Sequence, residues 1–336
     1  MIRVAINGFG RIGRNTFKAG WAKKGIKFVG INDLTDTKTL AFLLKHDTIY
    51  GEWPNKVRHT KDALVVDGEK VPAFMEKDPT KLPWDKLKVD VVLECTGVFR
   101  TEELASQHLT AGAKRVIISA PAKGGDINTY MQGVNIAKLK RSDKIIDNAS
   151  CTTNCIAPVA AIVESKWGIK KAAMTTIHAY TADQRLVDAP HKDPRRGRAA
   201  AVNIIPTTTG AAIATTKAIP ALNGKFDGMS IRVPVPVGSL SDFTLFLKKK
   251  VTPEAVNSHF KKMAKHPRYK GIIDVTETPL VSSDFIGNEH SAIVDLGMTK
   301  VIDGDLLKLV VWYDNEWGYS HRLAEMALEI GRKIKK

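Results

Sequence analysis

Hydrophobic and polar positions divide the chain into two patterns. In the first, short apolar runs alternate with helical spacing. Ile2 to Asn7 reads as a strand, Arg11 to about Lys23 as a helix, and Ile26 to Ile31 as a second strand. Asp36 to His46 is predicted helical, and Ala63 to Val66 with Lys70 to Ala73 forms a hairpin turning at Asp67-Gly68. Val89 to Leu93 is almost wholly apolar, as a parallel strand covered on both faces requires. Thr101 is placed to cap the next helix, with Glu102 and Glu103 in its first turn. Val116 to Ser119 and Ile145 to Ile146 supply further strands, and Cys151 to about Lys166 reads as a helix.

After that helix the pattern changes. Lys170 to His178 reads as a strand, and a long irregular stretch from Ala179 to about Asn203 follows, rich in Asp, Arg and Pro. A loop of that length is usually functional or held by a partner. Pro206-Thr207-Thr208-Thr209-Gly210 precedes an alanine-rich helix. Met229 to Val237 alternates, with Ile231, Val233 and Val235 on one face and Arg232 on the other. Alternation returns at Phe243, Leu245 and Leu247, and in parts of Ile293 to Leu296 and Leu306 to Trp312. The last element, Gly318 to about Lys333, carries Leu323, Met326, Ala327 and Ile330 at helical spacing, and is expected to dock back onto the first domain.

The expected architecture is therefore α/β: a doubly wound parallel sheet, then a second α+β domain with a mostly antiparallel sheet. The boundaries are residues 1–150 for the first domain, completed by the terminal helix 316–336, and 151–315 for the second. At 336 residues, two domains are the natural size. No apolar run reaches the roughly eighteen residues of a membrane span, and the strand beginning at Ile2 leaves no room for a leader. Three cysteines, Cys95, Cys151 and Cys155, suit a reducing cytoplasm rather than a disulfide framework. Metal-ligand spacing is absent. The net charge of +16 is spread along the chain without interleaved aromatics. It reads first as a solvated surface, and only second as a nucleic-acid face or a field for anionic metabolites.

Candidate chemistry sharpens both halves. Gly8-Phe9-Gly10-Arg11-Ile12-Gly13 follows a strand, opens a helix, and has Asp33 twenty positions after Gly13. That is the setting of a Rossmann-type dinucleotide fingerprint. Gly8 allows the turn, Gly10 the approach of the pyrophosphate, and Gly13 close helix–strand packing. Asp33 would accept from ribose hydroxyls and repel a 2′-phosphate, favouring NAD over NADP. In Ser150-Cys151-Thr152-Thr153-Asn154-Cys155, Cys151 begins a helix, where unpaired N–H groups and the dipole favour a thiolate. Cys155 lies one turn on, and its first reading is packing. His178 ends a strand before the long loop, positioned to take the thiol proton.

These motifs occur together with Asn32-Asp33-Leu34, Ser119-Ala120-Pro121, His178-Ala179-Tyr180-Thr181, Arg232-Val233-Pro234 and Trp312-Tyr313-Asp314-Asn315-Glu316. The whole set, in this order, resembles the phosphorylating glyceraldehyde-3-phosphate dehydrogenase family. The resemblance implies a Cys151 thiohemiacetal and thioester with His178 as base, acting on glyceraldehyde 3-phosphate, inorganic phosphate and NAD. It implies Gly8, Gly10, Arg11, Ile12, Gly13, Asp33, Thr96, Ser119, Asn315 and Tyr319 around the cofactor. Thr181, Asp183 and Arg232 would line one phosphate site, with Asp183 orienting Arg232, and Ser150, Thr152, Thr209 and Gly210 the other. It also implies a homotetramer, with the long loop packed against a neighbouring subunit. One departure is Ala189, where many NAD-specific members carry leucine. The smaller side chain leaves room beside the ribose, so NADP use is an open expectation. Two alternatives remain at this stage, an erythrose-4-phosphate dehydrogenase and a nucleic-acid-binding protein on the same fold.

Overall fold

A computed structural model describes residues 1–335 and divides them into two units. The first contains Met1–Tyr130, Ile136–Ala149 and the chain from Ser320 on; the second contains Met131–Asn135 and Ser150–Tyr319.

In the first unit, β1 (Ile2–Asn7), α1 (Arg11–Trp21) and β2 (Ile26–Asn32) make the opening βαβ. The helix α2 (Thr37–Lys45) starts where the Asp36 carboxylate accepts from Thr39 N at 2.9 Å. A two-stranded ribbon, β3 (His46–Asp47) with β4 (Gly51–Glu52), follows it. Then come β5 (Val57–Thr60), β6 (Ala63–Val66) and β7 (Glu69–Phe74). The β6–β7 turn puts Asp67 at φ 50° and Gly68 at φ 88°, both left-handed, which suits a tight hairpin. The rest is β8 (Val91–Glu94), α3 (Glu102–Thr110), β9 (Arg115–Ile118), β10 (Asn128–Thr129) and β11 (Ile145–Asp147). The nine-stranded sheet runs β10-β11-β9-β8-β1-β2-β7-β6-β5, parallel as far as β7 and antiparallel beyond it. Val4, Ile6, Val91, Val92 and Leu93 are fully buried, as central parallel strands demand. The chain from Ser320 on packs here too: Glu325 pairs with Lys23, and a Cβ on Gly331 would meet Ile2 at 2.6 Å.

The second unit opens with α4 (Cys151–Trp167) and β12 (Ile169–Ala179). Next come β13 (Ile205–Thr208), α5 (Ala211–Ala218), β14 (Phe226–Val233), β15 (Ser239–Leu247) and α6 (Pro253–Lys265). The strands β16 (Ile273–Thr276), β17 (Ala292–Ile302) and β18 (Leu306–Tyr313) lead into α7 (Trp317–Lys335). The sheet order is β13-β14-β12-β15-β18-β17-β16. Four of its pairings are antiparallel, while β12–β14 and β16–β17 are parallel, which makes it mixed. Alternation along β15 and β18 buries Phe243, Leu245, Leu307, Leu309 and Val311 against α4 residues such as Val159 and Val163. No helix among the described residues is long and apolar enough to cross a membrane.

Candidate active site

The helix α4 owes its start to Ser150, whose Oγ accepts from Thr153 N at 3.1 Å. This fixes Cys151 as the first helical residue. Its Sγ is half-buried and stands 3.4 Å from His178 Nε2. His178 lies near the end of β12, and in the parallel β12–β14 ladder its register partner is Arg232. The register therefore places the guanidinium beside the imidazole. Arg232 NH1 is 2.8 Å from His178 Nδ1 and donates to Ala179 O at 3.0 Å. His178 Nδ1 is itself 2.7 Å from the same carbonyl. Beneath these groups the buried Tyr313 hydroxyl joins Thr152 Oγ1 at 3.1 Å and Thr176 Oγ1 at 2.8 Å.

The electrostatics revise one expectation. Burial pushes the Cys151 thiol above its ordinary range. The Arg232 charge, the Thr152 hydroxyl and backbone N–H groups at the start of α4 pull it back down. A helix start alone is thus insufficient to hold a thiolate here, because desolvation of the charged sulfur outweighs it. The same burial, helped by Arg232, lowers His178 to about 3, so its imidazole is neutral at physiological pH. A neutral imidazole is the form that accepts a proton. Burial also raises the Tyr313 hydroxyl, which leaves it protonated as a hydrogen-bonding strut.

Asp183 differs from its expected role. Its carboxylate pairs with the Arg196 guanidinium, with His191 Nε2 at 3.7 Å, while Arg232 NH1 turns to His178 and Ala179 O. The nearer cation in the loop captures the acid, and Asp183 reaches Arg232 only through its field. Arg196 itself escapes sequence reasoning, being one arginine among several in an irregular loop. Its NH2 donates to Thr208 O at 3.2 Å, and its charge reaches both His178 and Arg232. Thr209 Oγ1 accepts from Ala211 N and Gly210 caps α5, which packs on α4. The hydrogen-bonded group around Cys151 does not extend to Thr181, Thr209 or Gly210 among the described residues. Asn315 is buried, and its Oδ1 accepts from Gly238 N at 3.1 Å and Ser239 Oγ at 3.0 Å. Tyr319 is buried. Cys155 is fully buried in the core, in keeping with packing.

The first unit holds a cavity of about 440 Å³ at the ends of β1, β2 and β8, lined among others by Gly8, Gly10, Asp33, Leu34 and Thr96. Gly8 has φ 91°, and a Cβ there would lie 2.7 Å from Thr96 N. A Cβ on Gly13 would strike Gly8 O at 2.1 Å, whereas nothing lies within 4 Å of one on Gly10. The first two glycines are required by contact, and the third leaves open space in front of the α1 N-terminus, as an approaching pyrophosphate needs. Asp33 accepts from Phe9 N at 2.7 Å and Thr35 N at 3.1 Å, so it ties the glycine loop while facing the cavity. The Arg11 side chain turns to Asp47 at 2.6 Å. Ser119 N donates to Glu94 O at 3.0 Å, and the Ser119 side chain bonds Cys95, whose thiol burial pushes up to about 12. These residues fit a dinucleotide.

Comparison with known proteins agrees with both units. Residues 2–102 match the family described as glyceraldehyde 3-phosphate dehydrogenase, NAD binding domain, and residues 150–315 match its C-terminal domain. The chain is 50% identical over 335 residues to glyceraldehyde-3-phosphate dehydrogenase 2 of Streptomyces avermitilis and to glyceraldehyde-3-phosphate dehydrogenase of Streptomyces coelicolor, covering 99% of this chain and of each relative. The enzyme of that name from Borreliella burgdorferi is also 50% identical over 335 residues, covering 98% of this chain and 99% of its own length. With both of its domains matched and relatives half identical over the full length, the chain belongs to the glyceraldehyde 3-phosphate dehydrogenase family.

Proposed function

We propose that the protein oxidises glyceraldehyde 3-phosphate to an acyl phosphate, 1,3-bisphosphoglycerate, with NAD and inorganic phosphate, and catalyses the reverse. The observation that carries the reading is Cys151 Sγ at 3.4 Å from a neutral His178, with Arg232 in ladder register beside it. His178 Nε2 takes the thiol proton as sulfur attacks the aldehyde carbon, and the resulting oxyanion is protonated to a thiohemiacetal. His178 then takes the hydroxyl proton while that carbon is oxidised to a thioester. When bound, NAD supplies the two-electron acceptor for this oxidation. Phosphate oxygen next attacks the thioester carbon, the carbon–sulfur bond breaks, and Cys151 is regenerated.

Arg232 and His178 are coupled through one carbonyl. Ala179 O only accepts, and Arg232 only donates. For Nε2 to carry the lone pair that faces Cys151, Nδ1 must carry the proton and give it to Ala179 O. Arg232 NH1 competes for that same position. A phosphate that draws Arg232 away leaves the carbonyl to Nδ1–H and so favours the basic tautomer. Ser150, Thr152, Thr181, Thr209 and Gly210 supply further donors for the two anions, and we add Arg196 as a second cation. Gly8, Gly10, Arg11, Ile12, Gly13, Asp33, Thr96 and Ser119 hold the NAD, while Asn315 and Tyr319 serve its nicotinamide end.

A homotetramer is supported by the strong exposure of Leu186, Val187, Val202 and Ile204 in and beside the long loop, which a neighbouring subunit would cover. Three free cysteines support a cytoplasmic location. The test is NAD reduction by glyceraldehyde 3-phosphate with and without inorganic phosphate or arsenate. Steady turnover is expected only with the added oxyanion, and a rate indifferent to it would sink the reading.

A further inference from the structure

A buried polar group borders the dinucleotide cavity and takes no part in this chemistry. Glu94, the last residue of β8, is 1% exposed, and His108 on α3 is 0% exposed. Glu94 Oε2 accepts from Asn7 Nδ2 at 2.6 Å and lies 3.0 Å from His108 Nε2. The Trp84 indole N–H, which can only donate, lies 3.1 Å from His108 Nδ1. His108 therefore accepts at Nδ1, and its Nε2–H donates to Glu94. The other oxygen, Oε1, accepts from Thr96 N at 2.8 Å and from the Thr96 hydroxyl. Every one of these partners donates to the carboxyl group.

The network reaches further. Asn7 Oδ1 accepts from Asn32 Nδ2 at 2.7 Å, and the Asn32 amide closes on the Glu76 backbone at 2.8 and 2.9 Å. Buried acids are costly, and apolar packing usually stabilises a core at least as well. This one joins the ends of β1, β2 and β8, and the residues that follow each end line the cavity: Gly8 and Gly10, Asp33, and Cys95 with Thr96. Clearance there is small, since Gly8 already sits against the Thr96 backbone. A displacement of the Thr96 loop would therefore reshape the cradle.

We infer that Glu94 is a positioning residue for the dinucleotide, its carboxylate locking three strand ends into one cradle while His108 and Trp84 hold it in place. This rests on NAD being the ligand of that cavity, so NAD binding to the wild-type protein is measured first; no binding there would sink that reading. Glu94→Gln puts an NH₂ against a donor. Calorimetry is expected to give an NAD Kd about tenfold higher. Turnover at saturating NAD and the alkylation rate of Cys151 in ligand-free protein are expected to stay within about twofold, as a role confined to cofactor placement requires. A Kd within about threefold of wild type, with only a lower melting temperature, would overturn the inference. If Glu94→Gln does not fold, His108→Gln and His108→Leu decide the matter. Glutamine can still donate to Glu94 and leucine cannot, so NAD should bind near-normally to the first and about fivefold or more weakly to the second. Equal affinities for the two would overturn it.

Discussion

The two sites of this protein are made of different material. The cradle in the first unit is largely backbone: strand ends, a left-handed Gly8 and open space at Gly10 before a helix start. The thiol site in the second unit is side chains, with Cys151, His178 and Arg232 arriving from α4, β12 and β14. A backbone site fails when a Cβ intrudes or when a side chain that holds its strand ends together is changed. A side-chain site keeps its fold when one polar group is removed, and loses its chemistry.

That contrast can be broken by substitution. Arg232→Gln keeps the size and removes the charge. It is expected to lower kcat/KM for the phosphorylated aldehyde by about a hundredfold or more, from lost charge-assisted contacts. Selectivity over unphosphorylated glyceraldehyde should fall with it, and the pH profile of Cys151 alkylation should move upward, since Arg232 pulls that thiol down. Unchanged selectivity would remove Arg232 from the anion site. In the other unit, Gly8→Ala adds one methyl at φ 91° and 2.7 Å from Thr96 N. Strain of about 1–3 kcal/mol is expected, read as NAD affinity weaker by about tenfold or more, with Cys151 alkylation unaffected. Retention of full NAD affinity would show that the turn is not what shapes the cradle.

The effect furthest from the chemistry is on acid stability. His178 falls from an ordinary 6.5 to about 3 in the folded protein, so below 6.5 the unfolded chain takes up a proton that the folded one refuses. Stability attributable to this group is complete above 6.5 and is lost as pH falls toward 3, with a slope of up to about 1.4 kcal/mol per pH unit. Denaturant titrations across that window should show wild type losing, on acidification, stability that His178→Asn keeps. Parallel curves would mean that His178 is not held neutral.

What could be read from sequence follows the same division. The glycine loop and Asp33 fall within one βαβ unit at a fixed spacing, and the first unit's strands carry near-continuous apolar runs. The helix start at Cys151 is equally local. Proximity of His178 to Arg232 depends on a parallel ladder between strands fifty-four residues apart, which no local pattern encodes. Arg196 and its capture of Asp183 depend on the path of an irregular loop. Periodicity also misses α6, although Thr252 caps it and Pro253 and Glu254 occupy its first turn. The buried Glu94–His108–Trp84 chain joins residues that sequence separates, and its acid reads there only as a strand end.

The central claim is that Cys151 becomes acylated. Protein mixed with glyceraldehyde 3-phosphate and excess NAD, without phosphate, should be quenched in acid and mapped by peptide mass spectrometry. The account predicts a phosphoglyceryl thioester on the peptide bearing Cys151, absent in Cys151→Ser and discharged when phosphate is added before the quench. An adduct on Cys95, or reduced NAD formed with no acyl-enzyme at all, would contradict it.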